Sequence, residues 1–216
     1  MSELNVFVSV GGTATEQQET FVRAVEDRLR SEGLIPHTAG RNTFSADSPL
    51  KTVTQLLDSC SGTVVIALER MYFPVGADKR GGPKESPLVD VKLATPWNQI
   101  EAAMAYSRGH PLLVIVEQGI KNEGLLERGH DWYIQSVKPD PSALATTEFN
   151  GVLSSWKQKL VKRPLTSASV PKNPSELTVG ELVGSMKPSQ LWSLLGTVAV
   201  LVAGAFALGG KLFGGI

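Results

Sequence analysis

Ala94-Thr-Pro-Trp-Asn-Gln-Ile-Glu-Ala-Ala-Met-Ala-Tyr-Ser-Arg-Gly-His-Pro-Leu-Leu-Val-Ile-Val116 decides the fold class of this chain. Thr95 is an N-cap hydroxyl, and Pro96 has the fixed φ that suits a first helical position. The helix expected over Trp97 to Arg108 stops at Gly109, a C-cap glycine. Leu112-Leu-Val-Ile-Val116 follows almost at once as an unbroken apolar run, the mark of a strand covered on both faces. A helix feeding such a strand belongs to a parallel α/β sheet. Glu101 is the odd residue, a carboxylate on the apolar side of the helix, one turn from Trp97 and from Ala105 and next to Met104.

The same rhythm extends outward from that segment. Leu4-Asn-Val-Phe-Val-Ser-Val10 reads as a strand ending at Gly11-Gly12. Thr13 with Glu16, and Thr15 with Gln18, have capping-box spacing. Phe21, Val22, Val25 and Leu29 recur at helical spacing until Gly33. Leu34 to Thr38 is a short second strand. A helix is expected from Ser48 to Cys60 with Leu50, Val53, Thr54 and Leu57 inward, and Thr63-Val-Val-Ile-Ala-Leu68 is another doubly covered strand. Asp131 to Val137 alternates like an edge strand, and Glu148 to Val161 closes with a helix placing Phe149, Val152, Leu153, Trp156 and Leu160 on one side. Met71 to Thr95 breaks the rhythm with several Pro and Gly residues; it reads either as a lid or binding loop or as a surface insertion. Alternating strands and helices predict a three-layer, flavodoxin-like parallel sheet with helices on both faces.

Of the 216 residues, 21 are basic and 21 acidic. That balance argues against direct nucleic-acid binding, and no basic stripe interleaves with aromatics. The single Cys60 excludes an internal disulfide and is expected to be a small buried residue at a helix end. Leu4 to Val10 lacks the basic flank and length of a signal peptide. His37, His110 and His130 show no metal-ligand spacing, and no Gly-x-Ser-x-Gly elbow is present. No cofactor is therefore expected.

Leu191 to Gly210 is a run of twenty uncharged residues, bracketed by Lys187 and Lys211, with Trp192 at one edge. As a helix it would rise roughly 30 Å, the thickness of a bilayer's hydrocarbon core. Ala199, Ala203 and Ala207 form a small-residue stripe that permits helix–helix approach in a membrane. The expected organisation is an α/β domain over 1–163, a linker and juxtamembrane helix over 164–187, and a transmembrane helix over 188–213. Because so few residues follow the span, the N-terminal domain is expected in the cytoplasm, tail-anchored to the lipid bilayer and forming a homo-oligomer.

Open parallel sheets bind ligands beyond the carboxyl ends of their strands. Three groups of residues are expected there. Ser9, Gly11, Gly12 and Thr13 follow the first strand, where glycines admit a ligand to the backbone and a helix N-terminus favours phosphate; an ordinary turn would use the same residues. Arg70, just after the third strand, suits either a phosphate, Glu101 or a surface salt bridge. Glu101 beside the Trp97 indole would be desolvated and raised in pKa, as a general acid/base requires, or would stabilise a ribosyl cation when ionised. Near a helix N-terminus it could also be a simple exposed carboxylate favoured by the dipole.

The first-strand loop, the Val-Val-Ile-Ala strand, the Trp-Asn-Gln-Ile-Glu-Ala helix and the Pro-Leu-Leu-Val-Ile-Val strand together resemble bacterial TIR-like and nucleoside 2-deoxyribosyltransferase-like domains. The resemblance spans roughly residues 4 to 162 and is carried chiefly by Trp97 to Glu101. It implies Glu101 as the catalytic residue, Trp97 beside it, and Ser9, Gly11 and Gly12 lining a nucleotide pocket. A second pocket carboxylate, which the family would supply, has only Asp47 and Asp90 as candidates. Two functions follow as expectations: a membrane-anchored N-glycosidase acting on NAD or a nucleoside in stress or antiviral defence, or a non-catalytic sensor of a nucleotide signal that drives its membrane helices together.

Overall fold

A computed structural model of the protein describes residues 4–129 and 131–161. The linker, juxtamembrane helix and membrane span expected from the sequence, and His130, lie outside these residues. Among the described residues no helix is long and apolar enough to cross a membrane.

The chain runs β1 (Leu4–Val10), α1 (Glu16–Ser31), β2 (Leu34–His37), α2 (Pro49–Ser59), β3 (Thr63–Ala67), β4 (Met71–Asp78), β5 (Ser86–Leu93), α3 (Pro96–Ser107), β6 (Leu112–Glu117), β7 (Ile134–Val137) and α4 (Thr147–Val161). Five strands form one sheet in the order β2-β1-β3-β6-β7, and every pair in it is parallel. With the hairpin strands β4 and β5 set aside, this is the doubly wound order, whose chain direction reverses between β1 and β3.

The period-two alternation of the strands divides the core into two layers. Val6, Val8, Val64, Ile66, Leu113 and Ile115 face one way, where Phe21, Val22, Val25 and Leu29 of α1 and Phe149, Leu153, Trp156 and Leu160 of α4 cover them. Phe7, Val65, Ala67, Val114 and Val116 face the other way, against Val53 and Leu57 of α2 and Ala102 and Ala105 of α3. Ala102 and Ala105 are small, so α3 can lie close to the sheet. That is why Glu101, beside them, is drawn under cover.

Helix starts follow the sequence closely. Thr15 Oγ1 accepts from Gln18 N at 3.2 Å, while Gln18 Oε1 reaches back to Ala14 N at 2.8 Å. The side chain of Thr13 takes no part in a cap; it donates to Glu19 at 3.0 Å. Thr95 caps α3, and Gly109 carries the positive φ of 67° that lets the chain turn into β6.

Three expectations need correction. Met71 to Thr95 is not a structureless loop: β4 and β5 pair antiparallel as a ribbon, Met71 opposite Leu93 and Asp78 opposite Ser86. Pro74 and Pro87 looked like strand breakers, but in a two-stranded ribbon both strands are edges and a missing N–H can face solvent. Met71, Phe73 and Val75 fall on one face opposite Leu93, Val91 and Val89, an alternation hidden by the prolines. Leu50 does not point inward; it is 51% exposed, and Thr52 takes the buried place with Val53 and Leu57. The edge strand β7 begins at Ile134 rather than Asp131, because Asp131 and Trp132 are turned to other partners: the Tyr106 hydroxyl donates to Asp131 and Trp132 Nε1 donates to Leu125 O.

Candidate functional site

A cavity of about 430 Å³ opens at the carboxyl ends of β1, β2 and β3, on the side where the chain direction reverses. Its volume falls in the range typical of small-ligand sites. The β1 end supplies Val10, Gly11 and Gly12; the β2–α2 loop supplies Ala39, Gly40, Thr43, Phe44, Ser45 and Asp47. The first turns of α2 give Pro49, Thr52 and Val53, and Arg70, Thr95, Trp97 and Glu101 complete the wall.

Glu101 is only 8% exposed. Burial pushes its carboxyl up to about 7, against a smaller opposing effect of the nearby Ser9 hydroxyl. The expectation of a simple exposed carboxylate is therefore excluded: this acid stays half protonated near neutral pH, as proton transfer or a poised carboxylate requires.

Ser9 is fully buried and does not border the cavity; its hydroxyl oxygen accepts from Asn98 Nδ2 at 3.0 Å. Gly11 and Gly12, read together from the sequence, do different things. A Cβ on Gly11 would sit 2.8 Å from Thr95 Cγ2, so that glycine lets the α3 cap approach β1. A Cβ on Gly12 would meet nothing within 4 Å, which leaves this backbone open to the cavity. Thr13 does not border the cavity, and its hydroxyl is occupied by Glu19. Trp97 borders it with a side chain 42% exposed.

Arg70 borders the cavity and forms neither the pairing with Glu101 nor the surface salt bridge considered from the sequence. Its neighbour Glu69 is engaged instead. Lys92 Nζ lies 2.6 Å from Glu69 Oε2, the Glu69 amide donates to Glu117 Oε2 at 2.8 Å, and Gln18 Nε2 donates to both Glu69 O and Glu117. These bonds fix the rim and leave the Arg70 guanidinium free among the described residues to meet an anion.

Of the two candidate second carboxylates, Asp47 borders the cavity and Asp90 does not. Lys51, 2.8 Å away, holds the Asp47 carboxyl below its ordinary range, so it is ionised at neutral pH. Asp90 lies on the hairpin with a φ of 53° and accepts from the Tyr72 hydroxyl at 2.6 Å.

Apart from Asp47, no residue of the β2–α2 loop is assigned to the site from the sequence, although the loop forms a whole wall. It is held by Arg41, whose two terminal nitrogens reach both oxygens of Glu19 at 2.9 and 2.7 Å while Nε reaches Glu26 at 3.1 Å. Asn98 was also missed; it is 1% exposed and donates to Ser9. Helical spacing could have found it, since Asn98 stands three, four and seven residues before Glu101, Ala102 and Ala105 on the buried face of α3. Among the described residues no group of three His, Cys, Asp or Glu side chains is arranged to hold a metal ion.

Fold and site together define an α/β domain with an acid-bearing ligand cavity at the reversal point of a doubly wound sheet. In a search of solved structures, the chain is similar to the CMP N-glycosidase BcmB of Clostridium botulinum, with 15% identity and a TM-score of 0.42 over 65% of this chain and 95% of that one. No protein-family model matches the chain, and neither does any curated protein.

Proposed function

We propose that the cavity binds a nucleotide-type ligand and that Glu101 breaks its N-glycosidic bond. The observation that carries this reading is one buried carboxylate, poised near neutrality, inside a ligand-sized cavity that also holds an arginine with no ion pair among the described residues. Arg70 and the open Gly12 backbone suit an anionic phosphate, and the half-exposed Trp97 and the exposed Phe44 offer aromatic surface to a base. Ionised Glu101 would meet the anomeric carbon as the base departs, stabilising the cationic sugar or attacking it, and water would complete hydrolysis. Asp47, ionised by Lys51, is suited to accepting bonds from sugar hydroxyls rather than to delivering a proton.

The test is incubation of the full chain with NAD, with nucleosides and with nucleoside monophosphates, following base release by chromatography. Release abolished by Glu101→Ala supports the proposal, and a rate that rises with pH through about 7 would identify the ionised carboxylate as the working form. No release from any of them, in dilute or clustered form, or release unchanged in Glu101→Ala, refutes it.

The uncharged run Leu191 to Gly210 supports placing this reaction at a membrane, Lys172 and Lys187 before it fit a cytoplasmic domain by the positive-inside tendency, and its alanine stripe supports a homo-oligomer. A role as a stress or antiviral effector rests on the family resemblance of the Trp97 to Glu101 stretch. Toxicity that survives Glu101→Gln but disappears on deletion of 188–216 would favour the sensor reading instead.

A further inference from the structure

We propose that the apolar face of the β4–β5 hairpin is a dimer interface, which a second copy of this chain covers with the same face. The proposal goes beyond the chemistry of Glu101 and does not depend on it. The pairing register places Met71, Phe73 and Val75 of β4 on one side of the ribbon, opposite Leu93, Val91 and Val89 of β5. The next rung on that side, Ala77 with Pro87, is apolar too. The other side is polar: the Tyr72 hydroxyl donates to Asp90 Oδ1 at 2.6 Å, and Lys92 Nζ lies 2.6 Å from Glu69 Oε2. Such a split marks an antiparallel sheet with one face for burial and one for water.

The apolar side lies over no core. Among the described residues neither hydrophobic cluster includes a member of β4 or β5, and Val75 and Val89 are 78% and 64% exposed. A two-stranded ribbon alone is marginally stable in water and needs packing on one face. Backbone bonds hold the root, from Arg70 N to Leu93 O and from Lys121 N to Lys92 O, both at 2.9 Å. The apolar rungs beyond that root stay open to solvent.

Area and charge select a second copy as the cover. The exposed apolar side chains of this face amount to roughly 500 Å² on one copy, a patch of the size that marks an interaction site. Two such faces pressed together bury about 1,000 Å², the least that a specific protein contact needs, so the dimer is weak and concentration-dependent. In a symmetric contact the same patch serves both copies, and a face without charge sets no like charges against each other. Growth from edge to edge is blocked instead, because Pro74 in β4 and Pro87 in β5 have no N–H to give. The interface is also continuous with the cavity wall. Arg70 directly precedes β4, Thr95 and Trp97 follow β5, and all three border the cavity.

The experiment is sedimentation of the full chain in detergent micelles over a range of concentrations. One variant carries Val75→Lys with Val89→Lys, another Val75→Glu with Val89→Glu; both positions are exposed, so the fold should survive either pair. Each variant alone should raise the dimer dissociation constant at least about tenfold, because like charges then meet face to face. An equimolar mixture of the two should return to within about threefold of wild type, because opposite charges then meet. A wild type that stays monomeric, variants that associate as tightly as wild type, or a mixture no tighter than its parts would overturn the proposal. The last result would assign the face to a different partner or to residues 164–216 of the same chain. A second measurement reads the face directly. Treated with a short bis-maleimide, Val89→Cys should give a cross-linked dimer and Tyr72→Cys, on the opposite side, should not; the native Cys60 is buried. No cross-link at Val89→Cys, or equal yields at both positions, would overturn the proposal even where the copies are held together elsewhere.

Discussion

Replacing Glu101 by Gln should make the protein more stable at pH 8 and leave it almost unchanged at pH 4. Glu101 carries an ordinary value of 4.5 in the unfolded chain and about 7 in the folded one, the rise caused by burial. The sign follows from linkage. Below 4.5 the group is neutral in both states and costs nothing; as pH climbs from 4.5 to about 7 the unfolded chain releases its proton first, so stability is lost across that window and the loss is complete above it. A difference of roughly 2.5 units at about 1.4 kcal/mol each amounts to about 3 kcal/mol. Because Glu101 is 8% exposed, solvent screening trims little from this figure. Gln fills nearly the same volume and never ionises, so most of the 3 kcal/mol should be recovered at pH 8. For a domain of this size that corresponds to about 6–12 °C in Tm. Calorimetric scans of wild type and Glu101→Gln at pH 4, 6 and 8 measure it. A gain that is the same at pH 4 and pH 8, or a variant less stable than wild type throughout, would refute the claim that a desolvated charge is held here at the expense of the fold. On the proposed reading, the gain would be the stability counterpart of a carboxylate held for chemistry.

Glu19 should behave in the opposite sense, because the Arg41 guanidinium draws its carboxyl down to about 2. Its contribution is present above pH 4.5 and is lost as pH falls toward 2. With a quarter of the side chain open to solvent, Glu19→Gln should cost about 1 kcal/mol at pH 7 and almost nothing near pH 2, read from urea midpoints; an equal cost at both would contradict the pairing. Cys60, 4% exposed and with its thiol pushed up to about 12 by burial, should resist iodoacetamide at pH 8 in the folded state, and labelling as fast as a free thiol would show that β3's neighbour is more open than described. Phe149→Ala, at a position 1% exposed between α4 and the sheet, should lower stability by about 3–5 kcal/mol in denaturant unfolding, whereas a loss below 1 kcal/mol would mean that α4 does not cover that face.

Much of this architecture is legible in the chain because it rests on local rules. Doubly covered strands such as β3 are apolar at every position from Val64 to Ala67, and helix limits carry their own punctuation in Thr15, Thr95 and Gly109. The β4–β5 hairpin escaped because its alternation is interrupted by Pro74 and Pro87, and only the pairing register shows that Phe73 and Val91 share a face. The wall formed by Ala39 to Asp47 escaped for another reason. Its place depends on Arg41 reaching Glu19 and Glu26 on α1, a contact across 22 and 15 residues that no local pattern encodes.

By itself, the sequence determined the order of the five parallel strands and the four helices, the sheet that order demands, and the presence of an acid at position 101 on a helix near the strand ends. It also made Ser9, Gly11, Gly12, Thr13, Arg70 and Trp97 candidates for one rim, without distinguishing among them. The tertiary structure separated their roles: Gly11 makes room for Thr95, Thr13 turns to Glu19, Ser9 is bonded to Asn98 behind the wall, and Arg70 borders the cavity without an ion pair among the described residues. It also decided that Glu101 is buried and half protonated rather than an exposed helix-end carboxylate. The physical reason is one of range. Propensity and periodicity act over a few residues along the chain, whereas desolvation depends on everything packed around a group, and for Glu101 that means strands and loops lying far from it in sequence.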